Sequence, residues 1–260
     1  MNKSGKVDLN FELSGPDGAP VVVLAHPLAT ELSYWDLQAS ELDKNFRVLR
    51  YDARGHGRSA TPDGPYSISM LAEDLLQLLD QLNIQQIHFC GLSIGGMTGI
   101  WLASHRPERI ASLVLSNCLP YLGNPDLWNE RANVARTQPL KGLVTQSAAR
   151  WVSADFAANN PESMQRLIET AASMSNNAYA AYCELLGATD LRADLASIHS
   201  PTLVISGLKD VATPPEQCEF LAHSISGARF LTLKGAHFTN FEDSVAYTAA
   251  IEKFFKEVTQ

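Results

Sequence analysis

Runs of lysine or arginine are absent from this chain of 260 residues, which carries 20 basic against 28 acidic side chains and a formal net charge of −8. With a sequence pI of about 5.3, that balance speaks against a nucleic-acid or anionic-membrane partner, because both need a concentrated positive field. It leaves room for a small anionic substrate, which needs only one or two local cations. No apolar stretch approaches the roughly 20 residues that cross a bilayer. The opening Met1 to Lys6 is polar and has no apolar run of the kind a signal peptide carries. Cysteine is scarce, with four scattered residues (Cys90, Cys118, Cys183 and Cys218), no C-x-x-C pair and no Cys/His cluster. These read as reduced thiols in a cytoplasmic protein, with no metal site and no cofactor expected.

What is present centres on Gly91-Leu92-Ser93-Ile94-Gly95, a G-x-S-x-G pentad. Such a pentad alone is a weak signal, because loops collect glycine and serine. Its flanks strengthen it. Ile87 to Cys90 is a short apolar strand candidate, and Met97, Ile100, Trp101 and Ser104 follow at helical spacing. A serine on a sharp strand-to-helix turn needs small residues two positions to either side, and Gly91 and Gly95 supply them.

The chain around the pentad alternates. Val7 to Ser14 and the turn signal Pro16-Asp17-Gly18 predict an opening antiparallel hairpin. Val21 to Ala25 is a continuous apolar run, as expected of a strand buried on both faces. Phe46 to Tyr51 and Ile110 to Leu115 are further strands, with helical patterns at Trp35 to Leu42, Ile68 to Leu82 and after the pentad. Asp52 to Ser59 is a glycine-rich loop. No helix follows it directly to supply an anion site, so it reads as structural, with Asp52 and Arg54 paired inside it.

From Cys118 to Ile198 no strand is evident, and four helical patterns take over. After it come the strand Pro201 to Gly207, a helix at Glu216 to Ile225, the strand Ala228 to Leu233 and a last helix, Val245 to Phe255. The expected architecture is α/β: a mainly parallel sheet with helices on both faces, a core of residues 1–117 and 199–260, and a helical cap of residues 118–198 inserted after the sixth strand. A cap there lies over the carboxyl ends of the strands, where ligands bind in such sheets.

A serine hydroxyl is a poor nucleophile until a base takes its proton, and a carboxylate fixes the tautomer of that base. In the α/β-hydrolase arrangement, which the pentad resembles, the order is Ser, then acid, then His, with the acid after a late strand and the histidine after the last one. Asp210 and His237 fit both places. His223 falls within a helical pattern, and Asp190 and Asp194 flank cap helices. His26 and His56 sit at strand ends as pocket wall or loop hydrogen-bonders. One oxyanion donor is expected from the Ile94 N–H at the helix start. The other should come from the loop His26-Pro27-Leu28. Pro27 has no N–H, so the donor is Leu28.

These motifs resemble the α/β-hydrolase superfamily over nearly the full length: His26-Pro27, the D-x-R-G-x-G-x-S loop from Asp52 to Ser59, the pentad with Gly96, and Gly207-x-x-Asp210. More narrowly, the chain resembles the 3-oxoadipate enol-lactonases of aromatic catabolism. The stretches that carry this likeness are Tyr51 to Ser59, His88 to Gly96, Trp101-Leu102, Trp128-x-x-Arg131, Arg150-Trp151, Asp190 to Arg192, Pro201 to Ile205 and Ala212 to Pro215. The resemblance implies an α/β-hydrolase fold and a serine hydrolase that opens an enol-lactone bearing an acetate arm. It also implies an acyl-serine intermediate and an anionic small-molecule substrate. Arg131 is then the candidate for the substrate carboxylate, with Trp128, Trp151 and His26 as walls. The loop His26-Pro27-Leu28-Ala29-Thr30 departs from the Ser-Leu-Gly-like sequence expected there. A carboxylesterase, a cofactor-free perhydrolase of haloperoxidase type and a non-catalytic ligand receptor are the competing readings, and self-association into a homo-oligomer stays open.

Overall fold

The computed structural model describes residues 7–259, so the expectations placed on Met1 to Lys6 lie outside the described residues. Seven strands form one sheet in the order β1-β3-β2-β4-β5-β6-β7. They are β1 (Phe11–Ser14), β2 (Val21–Ala25), β3 (Arg47–Tyr51), β4 (Ile87–Leu92), β5 (Ile110–Ser116), β6 (Thr202–Gly207) and β7 (Arg229–Leu233). Every pairing is parallel except that of β1 with β3.

The predicted opening hairpin is not formed. β3 lies between β1 and β2, and the residues just before β1 bond instead to the glycine-rich loop: Asn10 N donates to Ser59 Oγ and Ala60 N to the Asp8 carbonyl. The opening segment therefore supplies one strand. The helical insertion follows the fifth strand among the described residues, rather than the sixth.

Helices α1 (Asp36–Leu42), α2 (Ile68–Gln81) and α3 (Ile94–His105) precede the insertion. The insertion itself holds α4 (Pro125–Thr137), α5 (Leu140–Ala148), α6 (Ala154–Asn159), α7 (Pro161–Ser173) and α8 (Asn176–Ala188). Then come α9 (Pro215–His223), the short α10 (Thr239–Glu242) and α11 (Ser244–Thr259). The short α6 escapes the sequence patterns because its six residues make fewer than two turns, too few to show a periodicity.

Side chains alternate across each strand, so the sheet separates two cores. Val22, Leu24, Cys90 and Val114 pack with Leu42 of α1 and Phe255 of α11, whereas Val23, Phe89 and Leu113 pack with Leu75 of α2 and Ile100 of α3. β4 is buried at every position, which accounts for its largely apolar sequence, and its one polar side chain, His88, is satisfied by Ser112 Oγ at 2.8 Å. All four cysteines are free and buried, and burial pushes the thiols of Cys90 and Cys183 up to about 12. Among the described residues no helix is long and apolar enough to cross a membrane, and no group of three His, Cys, Asp or Glu side chains is placed to hold a metal ion.

Candidate active site

Ser93 stands between β4 and α3 with φ 57° and ψ −118°, a conformation that L-residues rarely adopt. Such backbone persists only where its surroundings over-determine it. Here the Ser93 N–H donates to the Ser116 carbonyl at 2.9 Å, while its own carbonyl accepts from Met97 N at 3.0 Å. The turn is also sterically closed. A Cβ on Gly91 would lie 2.3 Å from the Gly95 backbone, and one on Gly95 would lie 2.3 Å from the Ala25 carbonyl oxygen.

Asp210 lies in the loop after β6, and its carboxylate accepts five hydrogen bonds. Oδ2 takes them from His237 Nδ1 at 2.8 Å, Thr213 Oγ1 at 2.5 Å and Asn117 Nδ2 at 2.9 Å; Oδ1 takes them from the N–H groups of Ala212 (2.7 Å) and Thr213 (3.0 Å). Burial works to raise the Asp210 carboxyl. The neighbouring His237 and the hydrogen bonds from His237, Thr213 and Asn117 outweigh it and hold the group down at about 2. His237 follows β7 in a loop closed by α10. Since Nδ1 donates to Asp210, Nε2 is the ring nitrogen left to accept a proton.

Ser93 and His237 open into one cavity of about 270 Å3. Leu28 lines it from the loop after β2, and Trp128, Arg131, Trp151 and Tyr179 line it from the helical insertion. Arg131 is half-buried. Its Nε donates to Tyr179 Oη at 3.1 Å, its Nη2 donates to Ser147 Oγ at 2.6 Å and to Tyr179 Oη, and no carboxylate pairs with it among the described residues. Ile94 is the first residue of α3, where a backbone N–H has no intrahelical acceptor. The Leu28 N–H likewise finds no acceptor among the described residues.

Two expectations need correcting. His26 does not line the cavity. It is 3% exposed and lies beneath the loop, with both ring nitrogens engaged: Nδ1 on the Pro27 carbonyl at 2.8 Å and Nε2 on Ala53 N at 3.0 Å. Arg54 pairs with Asp74 of α2 through Nε at 2.6 Å and Nη2 at 2.7 Å, not with Asp52, whose carboxylate instead accepts from Asn10, Leu32 N and Arg58 N.

Thr213 and Asn117 are absent from the candidates read off the sequence. Thr213 had a signal, because an aspartate commonly accepts from the N–H groups two and three residues on, and that turn brings the Thr213 hydroxyl back to it. Asn117 had a weaker one, an asparagine at a strand end, where its left-handed φ of 45° turns the side chain toward Asp210.

Comparison with known proteins follows the same lines. The chain is 37% identical over 250 residues to 3-oxoadipate enol-lactonase 2 of Acinetobacter baylyi, covering 96% of this chain and 94% of that protein. The crystal structure of the enol-lactonase from Burkholderia xenovorans LB400 matches with a TM-score of 0.94 and 39% identity, over 96% of this chain and 97% of that one. A thermophilic esterase from Thermogutta terrifontis, solved with malate bound, matches with a TM-score of 0.91 and 27% identity, over 98% and 95% of the two chains. Residues 20–244 match the family described as the alpha/beta hydrolase fold. The strained turn at Ser93, the mainly parallel sheet and these likenesses agree: the chain belongs to the α/β-hydrolase fold family.

Proposed function

We propose that the protein is a serine hydrolase that opens 3-oxoadipate enol-lactone to 3-oxoadipate, a step in aromatic catabolism. The observation that carries this reading is a cavity faced by Ser93, by a His237 held on Asp210, and by Arg131, which has no acidic partner among the described residues. A half-buried arginine without a counter-ion suits a substrate carboxylate, which its planar fork binds at two oxygens. The likeness to a 3-oxoadipate enol-lactonase supports this substrate, and the likeness to the Burkholderia enol-lactonase supports the enol-lactone class. The cavity is of a size for a small lactone, and Trp128 and Trp151 offer it apolar walls.

In this reading His237 Nε2 takes the Ser93 hydroxyl proton as Oγ attacks the lactone carbonyl, and Asp210 stabilises the resulting imidazolium. The N–H groups of Leu28 and Ile94 receive the carbonyl oxygen as it becomes an oxyanion. Collapse breaks the ring C–O bond. The departing enolate takes the proton from His237 and tautomerises to the ketone while still tethered to the acyl group on Ser93. Water, deprotonated by His237, then releases the acid and restores the serine. The helices of residues 118–198 act as the cap that shields this chemistry.

Turnover of the enol-lactone compared with p-nitrophenyl acetate, and with peroxide plus acetate, tests the reading. Lactone kcat/KM should exceed the other two, and Ser93→Ala should abolish it. Slow lactone turnover beside rapid ester turnover would instead support a carboxylesterase, a reading the malate-bound esterase neighbour keeps in play.

A further inference from the structure

The loop that departs from the expected sequence, His26-Pro27-Leu28-Ala29-Thr30, is held by two buried histidines whose hydrogen bonds form a pattern. His26 Nε2 accepts from Ala53 N at 3.0 Å, so the ring proton sits on Nδ1, which donates to the Pro27 carbonyl at 2.8 Å. Thr30 Oγ1 donates to the same carbonyl at 2.8 Å. The Pro27 oxygen is therefore drawn inward by two donors. The Pro27–Leu28 peptide is trans, and in a trans peptide the carbonyl of one residue and the N–H of the next point in opposite directions. Drawing the Pro27 oxygen down onto His26 and Thr30 turns the Leu28 N–H the other way, outward on the side where Leu28 lines the cavity.

The next peptide is fixed by the second histidine. Ala29 N donates to His56 Nε2 at 3.0 Å, and His56 Nδ1 lies 3.2 Å from the Arg54 carbonyl, which places its proton on Nδ1 as well. Ala29 adopts a left-handed φ of 62°, a strained conformation for alanine that needs such an anchor. The two rings meet edge to face, with centroids 4.9 Å apart, and Tyr182 of α8 closes over His56 at 4.6 Å.

We propose that His26, Thr30 and His56 are positioning residues for the oxyanion site: they lock the two consecutive peptides on either side of Leu28 so that its N–H is aimed before substrate arrives. The proposal rests on the serine-hydrolase reading and on Leu28 as an oxyanion donor, and it does not depend on which ester is cleaved. A fixed donor needs no reorganisation as charge develops, and that is the source of its catalytic value. Neither histidine touches substrate. Each acts through a peptide group.

The test uses p-nitrophenyl acetate, so that the identity of the natural lactone does not enter, and a boronic acid whose adduct on Ser93 places an oxygen where the oxyanion forms. His56→Ala and Thr30→Val should each lower kcat while KM changes less than twofold. The expected loss is about tenfold to a hundredfold for His56→Ala, short of the loss of a whole donor, and smaller for Thr30→Val, which leaves His26 on the Pro27 oxygen. Boronate affinity should fall in parallel with kcat. His56→Gln, whose amide oxygen can accept from Ala29 N, should recover most of both, and so should His26→Asn relative to His26→Ala. Thermal unfolding of each variant separates misaiming from misfolding, and Thr30→Val is close enough in shape to stay folded. If Ser93→Ala keeps its turnover, the serine-hydrolase reading falls and this proposal falls with it. If Ser93→Ala is inactive while His56→Ala and Thr30→Val keep wild-type kcat and boronate affinity, the positioning role alone is overturned.

Discussion

Asp210 and Arg131 are both charged groups in the cavity region, and their surroundings differ. Five donors converge on the Asp210 carboxylate, so its negative charge and its direction are both fixed. Asp210→Asn should keep the fold yet lower kcat by about 10⁴, because an amide there favours the wrong tautomer of His237; steady-state kinetics beside circular dichroism check this. Arg131 is held by two hydroxyls and by no acid among the described residues, and in the proposed reading its charge meets the substrate carboxylate. Arg131→Met should therefore weaken the enol-lactone by about 1.5–3 kcal/mol, the worth of a hydrogen bond to a charged group, and leave p-nitrophenyl acetate nearly unaffected. Equal losses on both substrates would remove Arg131 from carboxylate recognition.

Titration at the residue scale also has a sign. Burial pushes His26 below its usual 6.5 even though the Pro27 carbonyl, Asp52 and Glu31 pull it upward; burial, with His26 beside it, takes His56 well below. The unfolded chain takes up these protons near pH 6.5 and the folded one does not. The stability these groups contribute is thus complete above pH 6.5 and is lost as pH falls below it toward the folded values. Asp210, depressed to about 2 by its partners, behaves likewise further down: its contribution is present above the ordinary carboxylate range and is lost as pH falls toward 2. Denaturant midpoints measured from pH 8 to pH 4 should decline below 6.5, and less so in His56→Gln. A flat midpoint across that range would contradict the burial of neutral imidazoles.

At the scale of elements, the turn from β4 to α3 is the most demanding piece of backbone. A methyl group on Gly95 would meet the Ala25 carbonyl, part of the neighbouring strand that cannot swing aside. Gly95→Ala should cost at least the 1–3 kcal/mol typical of overpacking, read as a lower urea midpoint together with lost activity.

The same turn shows why much of the site could be read in advance. A tight strand-to-helix turn writes its steric needs into adjacent residues, and the placing of Ser93, Asp210 and His237 follows from strands whose apolar runs are plain. Relations between distant segments left no such trace. The pairing of β1 with β3 rather than β2, the partner of Arg54 in α2 and the sequestering of His26 beneath its own loop depend on which loops stack after folding. Two histidines at strand ends look alike in sequence whether they face a ligand or a peptide. Only the bonds to Ala53, Pro27 and Ala29 separate the cases.

For the whole molecule, the attachment of the helical insertion to the sheet matters most. Tyr182 Oη donates to the Arg54 carbonyl at 2.9 Å on one side. On the other, Phe238 N donates to the Trp151 carbonyl at 2.6 Å, the rings of Trp151 and Phe238 stack at 5.3 Å, and Glu242 accepts from Ser153 N, Ser153 Oγ and Ala236 N. These bonds reach the residues on either side of His237, so the insertion and the loop that carries His237 share one scaffold. Unfolding should accordingly be one cooperative transition, with far-ultraviolet circular dichroism and tryptophan fluorescence coinciding. The fluorescence samples both parts, since Trp35 and Trp101 lie in the sheet layers and Trp128 and Trp151 in the insertion. An early fluorescence phase would show the insertion melting by itself.

That shared scaffold sets a rule for recombination between relatives. A graft that swaps only the helices between β5 and β6 would install a foreign partner opposite Phe238 and Glu242, and the imported segment would then disturb the loop that holds His237. A productive chimera has to carry the stretch from Ala236 to Glu242 along with its donor helices. The two separated pieces of chain that meet there, 151–153 and 236–242, form one unit for exchange.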